Sequence, residues 1–197
     1  MAPVRYTDMQ LDALRELANI GSGTASTALS GMLGRSVDIS VPNAQALAFA
    51  EAVDAVGPAE QEMTAIVLGI VGEMSGTVLL LVPPADADAM CRMLGVEPDD
   101  EFALSALGEI GNIVGTSYIN ALASMTGMDI EPTPPATATD MLGALVASVL
   151  AAHAHAGDVA LVLDSNLVVE GEDCSVSFLL VPDQGGVETL LSRLGLS

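Results

Sequence analysis

The sequence contains no lysine and no tryptophan, and it has little positive charge of any kind. Five Arg side chains stand against 26 Asp and Glu side chains, which gives a formal net charge of −21 at pH 7. A chain with so few cations offers no basic patch to the phosphates of a nucleic acid, and an anionic membrane surface repels it. The charge balance therefore excludes nucleic acids and membrane surfaces as partners.

Cysteine and long hydrophobic runs are also scarce. Cys91 and Cys174 are the two cysteines, and they form no C-x-x-C motif, which favours free thiols in a reducing compartment over a disulfide. Residues 1–10 show no charged segment followed by an apolar stretch, so no signal peptide is expected. All apolar runs are shorter than the about 20 residues that cross a bilayer. The sequence predicts a soluble cytoplasmic protein.

The rest of the composition fits a folded protein with a very acidic surface. With 197 residues, of which 51% are hydrophobic, the chain is long and apolar enough to bury one core. The acidity has two interpretations. It either adapts the protein to a halophilic cell interior, where salt screens self-repulsion beyond about 3 Å, or it reflects an acidic, Ala-rich proteome.

The chain contains an internal repeat. The two copies share an Asp or Ser, a Glu, an Asn and a later Pro at the same spacing. These residues are Asp12, Glu16, Asn19 and Pro42 in the first copy and Ser105, Glu109, Asn112 and Pro135 in the second. Leu-Leu-Val-Pro also recurs, at residues 80–83 and 179–182. We therefore interpret residues 1–197 as one domain of two repeats, about 1–97 and 98–197, which predicts a pseudo-two-fold fold with two equivalent sites.

The residue pattern predicts a mixed α/β (α+β) fold, with helices packed on a largely antiparallel sheet. Thr7 and Gln10 form a capping-box pattern at the start of the first helix, and Asp99 or Asp100 is expected to start the equivalent helix. Short helices are expected at residues 85–94 and 186–194, and strands at residues 37–41, 62–71, 76–82, 159–163, 167–170 and 175–181.

Asp12, Glu16 and Asn19 lie on one face of the first helix, because their spacing is i, i+4 and i+7, and the second copy repeats this face. A lone Glu and Asn on a helix usually belong to a solvated surface. Asn is a poor helix former, however, and the pair recurs although the residues between its members have diverged. Little bulk stands near the two Asn, and we expect a partner to approach the backbone there. The small residues concerned are Gly21, Ser22 and Gly23 after Asn19, and Gly111 beside Asn112.

The amide of an Asn does not titrate, so Asn cannot act as a general base. It can accept a hydrogen bond from a water and donate another to a phosphoryl oxygen, which holds the water in line for attack. Phosphoryl transfer depends mainly on positioning and electrostatics, so such an amide can be catalytic. The neighbouring carboxylate is better suited to binding a cation of a partner. No His, Cys or carboxylate cluster has metal-ligand spacing, so the chain is expected to hold no metal of its own.

The doubled pattern Asp/Ser-x-x-x-Glu-x-x-Asn, with its later Pro, resembles the CheC family of chemotaxis phosphatases. The likeness extends over nearly the whole chain and includes Asn-Ile-Gly-Ser-Gly at residues 19–23 and Glu-Ile-Gly-Asn at residues 109–112. The resemblance implies a substrate, the phosphorylated response regulator CheY, which brings its own bound Mg²⁺. It also implies two long phosphatase helices side by side on one face of a β-sheet.

Carried over to this chain, the resemblance gives the motif residues three roles. The two Asn would orient the attacking water, and the two Glu would bind a lysine of the regulator. The first residue of each motif would support the helix or contact the partner, and the two Pro would have a conformational role. The residues concerned are Asn19 and Asn112, Glu16 and Glu109, Asp12 and Ser105, and Pro42 and Pro135.

The resemblance also implies a second partner, the receptor deamidase CheD, whose binding surface the sequence does not locate. Two alternatives to a phosphatase stay open. One is a non-catalytic adaptor that binds CheD or the flagellar or archaellar motor apparatus. The other is a motor-switch component, since that family shares the fold.

We predict that the helical structure decreases when salt is removed, because carboxylates that are no longer screened repel one another. Far-ultraviolet circular dichroism between about 0.1 M and 3 M salt measures this change. An ellipticity that does not respond to salt would contradict the halophilic interpretation of the acidity.

Overall fold

The computed structural model describes residues 6–153, 159–169 and 172–196. The first half contains α1 (Asp8–Leu33), β1 (Val37–Ala48), α2 (Phe49–Val56), β2 (Glu62–Gly72), β3 (Gly76–Val82) and α3 (Pro84–Met93). The second half contains α4 (Ala103–Thr126), β4 (Ile130–Pro132), β5 (Ala136–Met141), α5 (Leu142–His153), β6 (Val159–Val169), β7 (Glu172–Pro182) and α6 (Gly186–Arg193). Both halves follow the order helix, strand, helix, strand, strand, helix, with β4 and β5 together in the place of β1.

The strands of the described residues join one sheet in the order β1-β6-β7-β3-β2-β4, and β5 also pairs with β2. Every pairing is antiparallel, which confirms the prediction of a largely antiparallel sheet. The outer strands are exchanged between the halves, because β1 pairs with β6 whereas β4 and β5 pair with β2. At the centre, Leu79 of β3 lies opposite Leu179 of β7. The two halves therefore interlock in one sheet.

Helix α1 begins at the predicted capping box and ends at a glycine. The Gln10 backbone N–H donates to Thr7 Oγ1 at 3.3 Å, and the Thr7 N–H donates to Gln10 Oε1 at 2.9 Å. This capping box satisfies two N–H groups that have no partner within the helix. Gly34 ends the helix in the left-handed region with a φ of 63°, a conformation that glycine adopts without a steric cost.

Helix α4 begins later than expected. Asp99 or Asp100 is the start that the sequence indicates, but the first helical residue is Ala103 and the N-cap is Phe102. Asp100 instead stabilises the preceding turn, since its Oδ1 accepts a hydrogen bond from the Phe102 N–H at 2.9 Å and its carbonyl accepts one from the Ala103 N–H at 3.1 Å. The prediction was wrong because a carboxylate that closes a turn has the same local pattern as one that caps a helix.

Helices cover both faces of the sheet. On one face α1 and α4 lie side by side and share a core with β2 residues such as Ile66 and Leu68, which confirms the expected pair of long helices. On the other face α2 and α5 cover a second core that includes Met63 and Leu81. These two helices were not predicted. Residues 142–152 are apolar almost throughout, so they carry no periodicity that separates a helix from a strand.

The observed limits of β1 and β6 differ most from the predicted ones. β1 continues through Pro42 to Ala48, because a register shift between Ser40 and Asn43 lets an edge strand include a residue that cannot donate to the ladder. β6 is one continuous strand, although the sequence predicts two separate strands there. The predicted end of the second of them, at residue 170, lies outside the described residues.

Two further predictions concern thiols and membranes. Cys91 and Cys174 are both buried thiols, as the sequence analysis expects. None of the helices in the described part of the chain is both long and apolar enough to cross a membrane.

We predict that Gly21→Ala destabilises the fold, whereas Gly23→Ala on the same helix stabilises it. A Cβ at position 21 would lie 2.8 Å from Cδ1 and 3.0 Å from Cα of Tyr118 on α4, so the two helices would have to separate. We expect this overpacking to cost about 1–3 kcal/mol of unfolding free energy. Chemical denaturation followed by circular dichroism measures the difference.

Gly23→Ala is the control, because the space around Gly23 is open. A Cβ at position 23 meets no atom within 4 Å, and alanine in a helix interior gains about 0.5–1 kcal/mol over glycine. Equal shifts of both variants would contradict the close approach of α1 and α4.

Candidate active site

The first copy of the motif lies on the exposed face of α1. Asp12, Glu16 and Asn19 are exposed, while Leu17 and Ala18 between them are buried in the core. Residues at i, i+4 and i+7 share one face of a helix, and the residues between them turn toward the sheet. The structure thus brings the three polar side chains together on the side of α1 that faces away from the sheet.

The second copy occupies the corresponding face of α4. Ser105 and Glu109 are exposed, and Asn112 is half-buried. The buried face of this helix includes Leu107 and Ile110. Because α1 and α4 cover the same face of the sheet, both motifs point away from it toward the same side of the molecule.

One ion pair lies within the site. Arg15 Nη1 donates to Asp12 Oδ1 at 2.7 Å, and both side chains are exposed. Such a pair contributes little to stability, but it neutralises the first carboxylate of the face. In the part of the chain that the structure describes, no ion pair includes Glu16 or Glu109. These two carboxylates are the negative charges that each motif presents to a partner.

Two of the three glycines near the Asn face inward, so the expectation that a partner approaches the backbone is wrong at Gly21 and Gly111. Gly21 and Gly111 are buried, and a Cβ at position 111 would lie 2.5 Å from Ile66 Cγ2 of β2. Their small size permits close packing of helix on helix and of helix on sheet. Gly23 is the glycine on the exposed side of α1, with open space around it.

Tyr118 of α4 lies beneath the junction of the two motif helices. Its hydroxyl is 3.5 Å from Ser165 Oγ on β6, and its ring centroid is 4.3 Å from that of Phe178 on β7. Burial raises the pKa of the Tyr118 hydroxyl, and hydrogen bonds with Ser165 and Ser22 partly offset this effect. Tyr118 is therefore neutral at pH 7 and connects both helices to the strands below them.

The two prolines that follow the motifs lie at irregularities of the outer strands. Pro42 falls within the register shift of β1, and Pro135 is half-buried between the end of β4 and the start of β5. The beginning of β1 is bonded to α1, since the Ile39 N–H donates to Ser26 Oγ at 2.9 Å. The prolines thus belong to the sheet edges, whereas the other six motif residues share the helical surface.

Two exposed apolar side chains flank the motifs, and the sequence argument did not identify them. Met9 is 69% exposed and Phe102 is 62% exposed. Each lies seven positions before the Glu of its motif, so they occupy the same place in the two copies. The sequence signal that could have identified them is the recurrence of a large apolar residue at this place in both copies. Exposed apolar side chains at a polar site indicate a protein-binding surface.

The side chains of each motif support two kinds of interaction. A Glu carboxylate accepts hydrogen bonds from a cation, and an Asn amide both donates and accepts. Within residues 6–153, 159–169 and 172–196 no group of three or more His, Cys, Asp or Glu side chains could hold a metal ion.

Comparison with solved structures gives the class of fold. The X-ray structure of Thermotoga maritima FliY superimposes with a TM-score of 0.80 over 98% of each chain, at 21% identity. A chain of the CheX-CheY-BeF3-Mg²⁺ complex from Borrelia burgdorferi superimposes with a TM-score of 0.53 over 86% of this chain and 97% of that chain, at 17% identity. The protein thus belongs to the fold class that includes FliY.

Sequence comparison narrows the class to a family. The model of the CheC-like family matches residues 9–44 and 102–138, which contain both motifs. The CheY-P phosphatase CheC of Bacillus subtilis (strain 168) is 33% identical over 198 residues, which cover 95% of each chain. The flagellar motor switch phosphatase FliY of the same organism is 29% identical over 136 residues, which cover 66% of this chain and 35% of that protein. This chain belongs to the CheC family.

Proposed function

We propose that the chain hydrolyses the aspartyl phosphate of a CheY-type response regulator, and that Asn19 and Asn112 orient the attacking water. As a member of the CheC family, the chain is a chemotaxis phosphatase for phosphorylated CheY, in keeping with its 33% identity to a CheY-P phosphatase over 95% of its length. The observation that supports the residue roles is the placement of the same Glu and Asn on the outer faces of both long helices.

The proposed reaction needs a water held in line with the bond between phosphorus and the aspartyl oxygen. Oδ1 of the Asn accepts a hydrogen bond from this water, and Nδ2 donates one to a phosphoryl oxygen. The water oxygen bonds to phosphorus as the bond to the aspartyl oxygen breaks. The products are the free carboxylate and inorganic phosphate, and the protons of the water pass to the phosphate and the solvent. Positioning of this kind accelerates phosphoryl transfer without a titrating group.

The Glu of each motif is proposed to bind a cation of the regulator. Glu16 and Glu109 are exposed carboxylates, and the family implies that a lysine of the regulator is their partner. The Mg²⁺ is proposed to belong to the regulator, as expected from the sequence. The solved complex of CheX and CheY, which contains Mg²⁺ and BeF3, supports this assignment.

We further propose that the chain is one domain of two repeats, about 1–97 and 98–197, with one site in each. The repeated order of elements and the exchange of outer strands support this organisation. Asp12 and Ser105 are proposed to contact the partner at the start of each face. Pro42 and Pro135 are proposed to fix the strand that follows each motif helix.

A second candidate function is that of a non-catalytic adaptor that binds CheD or the motor apparatus. The structural similarity to FliY, with a TM-score of 0.80, favours a link to the motor. CheD is proposed as a partner from the family alone, and the cytoplasm is the compartment in which these partners are expected. Tight complex formation with negligible hydrolysis would identify the adaptor, so pull-down and turnover assays on one preparation separate the two functions.

Combining Asn19→Ala with Asn112→Ala is expected to abolish stimulated decay of the phosphorylated regulator. Loss of a group that is oriented on the transition state slows an enzyme by about a hundredfold or more, and here both sites lose it. The measurement follows the disappearance of radiolabelled phosphoregulator in excess Mg²⁺. Asn120→Ala is the matched control, because Asn120 is an exposed Asn of α4 outside the motif. An unaltered rate in the double variant would defeat the proposal.

The rate of dephosphorylation is expected to rise with salt concentration. Screening weakens the repulsion between this chain, with its net charge of −21, and an acidic regulator, and it spares the short-range contact of the Glu side chains. The same decay assay at increasing salt, corrected for the decay of the regulator alone, measures the effect. A monotonic fall would show that long-range attraction, not repulsion, governs the encounter.

A further inference from the structure

The two candidate sites differ at the position four residues after the Asn. Gly23 occupies this position in the first copy, and Thr116 occupies it in the second. Residues four apart lie one above the other on a helix, so a side chain at this position can reach the Asn. The first site has no side chain there, whereas the second has a hydroxyl.

The Thr116 hydroxyl donates to the side chain of Asn112, since Thr116 Oγ1 lies 3.4 Å from Asn112 Oδ1. Five other Ser and Thr hydroxyls of the two helices donate instead to the backbone carbonyl three or four residues earlier. These are Ser22, Thr24 and Thr27 in α1 and Ser117 and Thr126 in α4. Thr116 thus departs from the pattern of its neighbours by bonding to the candidate catalytic amide.

The two Asn residues also differ in burial. Asn112 is half-buried, whereas Asn19 is exposed. Gly23, next to Asn19 on the helix surface, has no atom within 4 Å of where its Cβ would be. The second Asn is therefore more enclosed by the protein than the first.

We infer that Thr116 is a positioning residue that holds the Asn112 amide in the orientation that hydrolysis requires. The amide oxygen has two lone pairs, so it can accept the Thr116 hydroxyl and still accept the attacking water. With Oδ1 fixed by Thr116, Nδ2 points the other way and is available to a phosphoryl oxygen. The first site lacks this restraint, and Asn19 is ordered only when the regulator binds. This inference rests on the proposed function.

The kinetic test isolates the second site by placing every variant in an Asn19→Ala background. Thr116→Val keeps the shape of the side chain and removes the hydroxyl, and kcat is expected to fall about threefold to tenfold, the value of one hydrogen bond. KM and the melting temperature are expected to stay unchanged, because neither docking nor packing involves the hydroxyl. Thr116→Ser is expected to restore kcat. Equal kcat values for the Thr, Val and Ser forms would overturn the inference.

The reciprocal test isolates the first site in an Asn112→Ala background. Gly23→Thr supplies the missing hydroxyl and is expected to raise kcat by about threefold to tenfold. Gly23→Ala is the matched control, since it adds the Cβ and the helix propensity without a hydroxyl. A gain that is equal in the Ala and Thr variants would assign the effect to helix stability and contradict the role of the hydroxyl.

A measurement on the protein alone, without the regulator, distinguishes a failure of this inference from a failure of the proposed function. Nuclear magnetic resonance of the side-chain amides is expected to show a higher order parameter for Asn112 than for Asn19, and Thr116→Val is expected to remove the difference. If the Asn19→Ala, Asn112→Ala variant keeps full activity, the proposed function fails, whatever the amide order shows. If that variant is inactive but the two amides are equally ordered in the wild type, the positioning role alone fails.

Discussion

Helix α1 packs so closely against α4 at Gly21 that a Cβ there would lie 2.8 Å from the ring of Tyr118. This contact determines where both candidate sites lie. It holds the two long helices side by side on one face of the sheet, and each then buries its apolar face and exposes its motif. Tyr118 in turn contacts Ser165 on β6 and Phe178 on β7, in the sheet beneath the two helices. The core thus fixes which face of each helix carries the motif, and so the side of the molecule on which Glu16, Asn19, Glu109 and Asn112 lie.

The net charge of the protein acts over a longer range than these packing contacts. The net charge of −21 is spread over a surface that holds five Arg side chains, so the long-range field repels an acidic partner. The motif carboxylates act only within a few ångströms, where a lysine can approach them directly. Exposed apolar residues beside each motif, Met9 and Phe102, add attraction that does not depend on charge. Docking on such a surface therefore depends on short-range complementarity rather than on electrostatic steering.

Much of this arrangement could be predicted from the sequence, because it follows from spacing. The capping box at Thr7 and the shared face of Glu16 and Asn19 are local consequences of helix geometry. The start of α4 and the helix α5 could not be predicted. Asp100 bonds within a turn, and α5 carries apolar residues such as Ala144 and Ala147 on its exposed side as well, so its sequence shows no helical period. The first feature is a local bond whose sequence pattern also fits a helix cap, and the second leaves no periodic pattern in the sequence.

The inward direction of the glycines also depends on tertiary contacts, and it explains why the two repeats are not identical. A Cβ at Gly111 would lie 2.5 Å from Ile66, and one at Gly115 would lie 2.9 Å from Leu68, so α4 approaches β2 more closely than a helix with side chains there could. The equivalent positions of α1 are Ala18 and Ser22, which do carry side chains.

The residues that follow these positions are Asn112 and Thr116 in α4, and Asn19 and Gly23 in α1. Asn112 is half-buried, whereas Asn19 is exposed. The two copies thus differ both in how the buried face packs on the sheet and in how far the amide on the outer face is exposed. The Glu and the Asn are the same in both copies, so the two candidate sites differ in the surroundings of the amide and not in its identity.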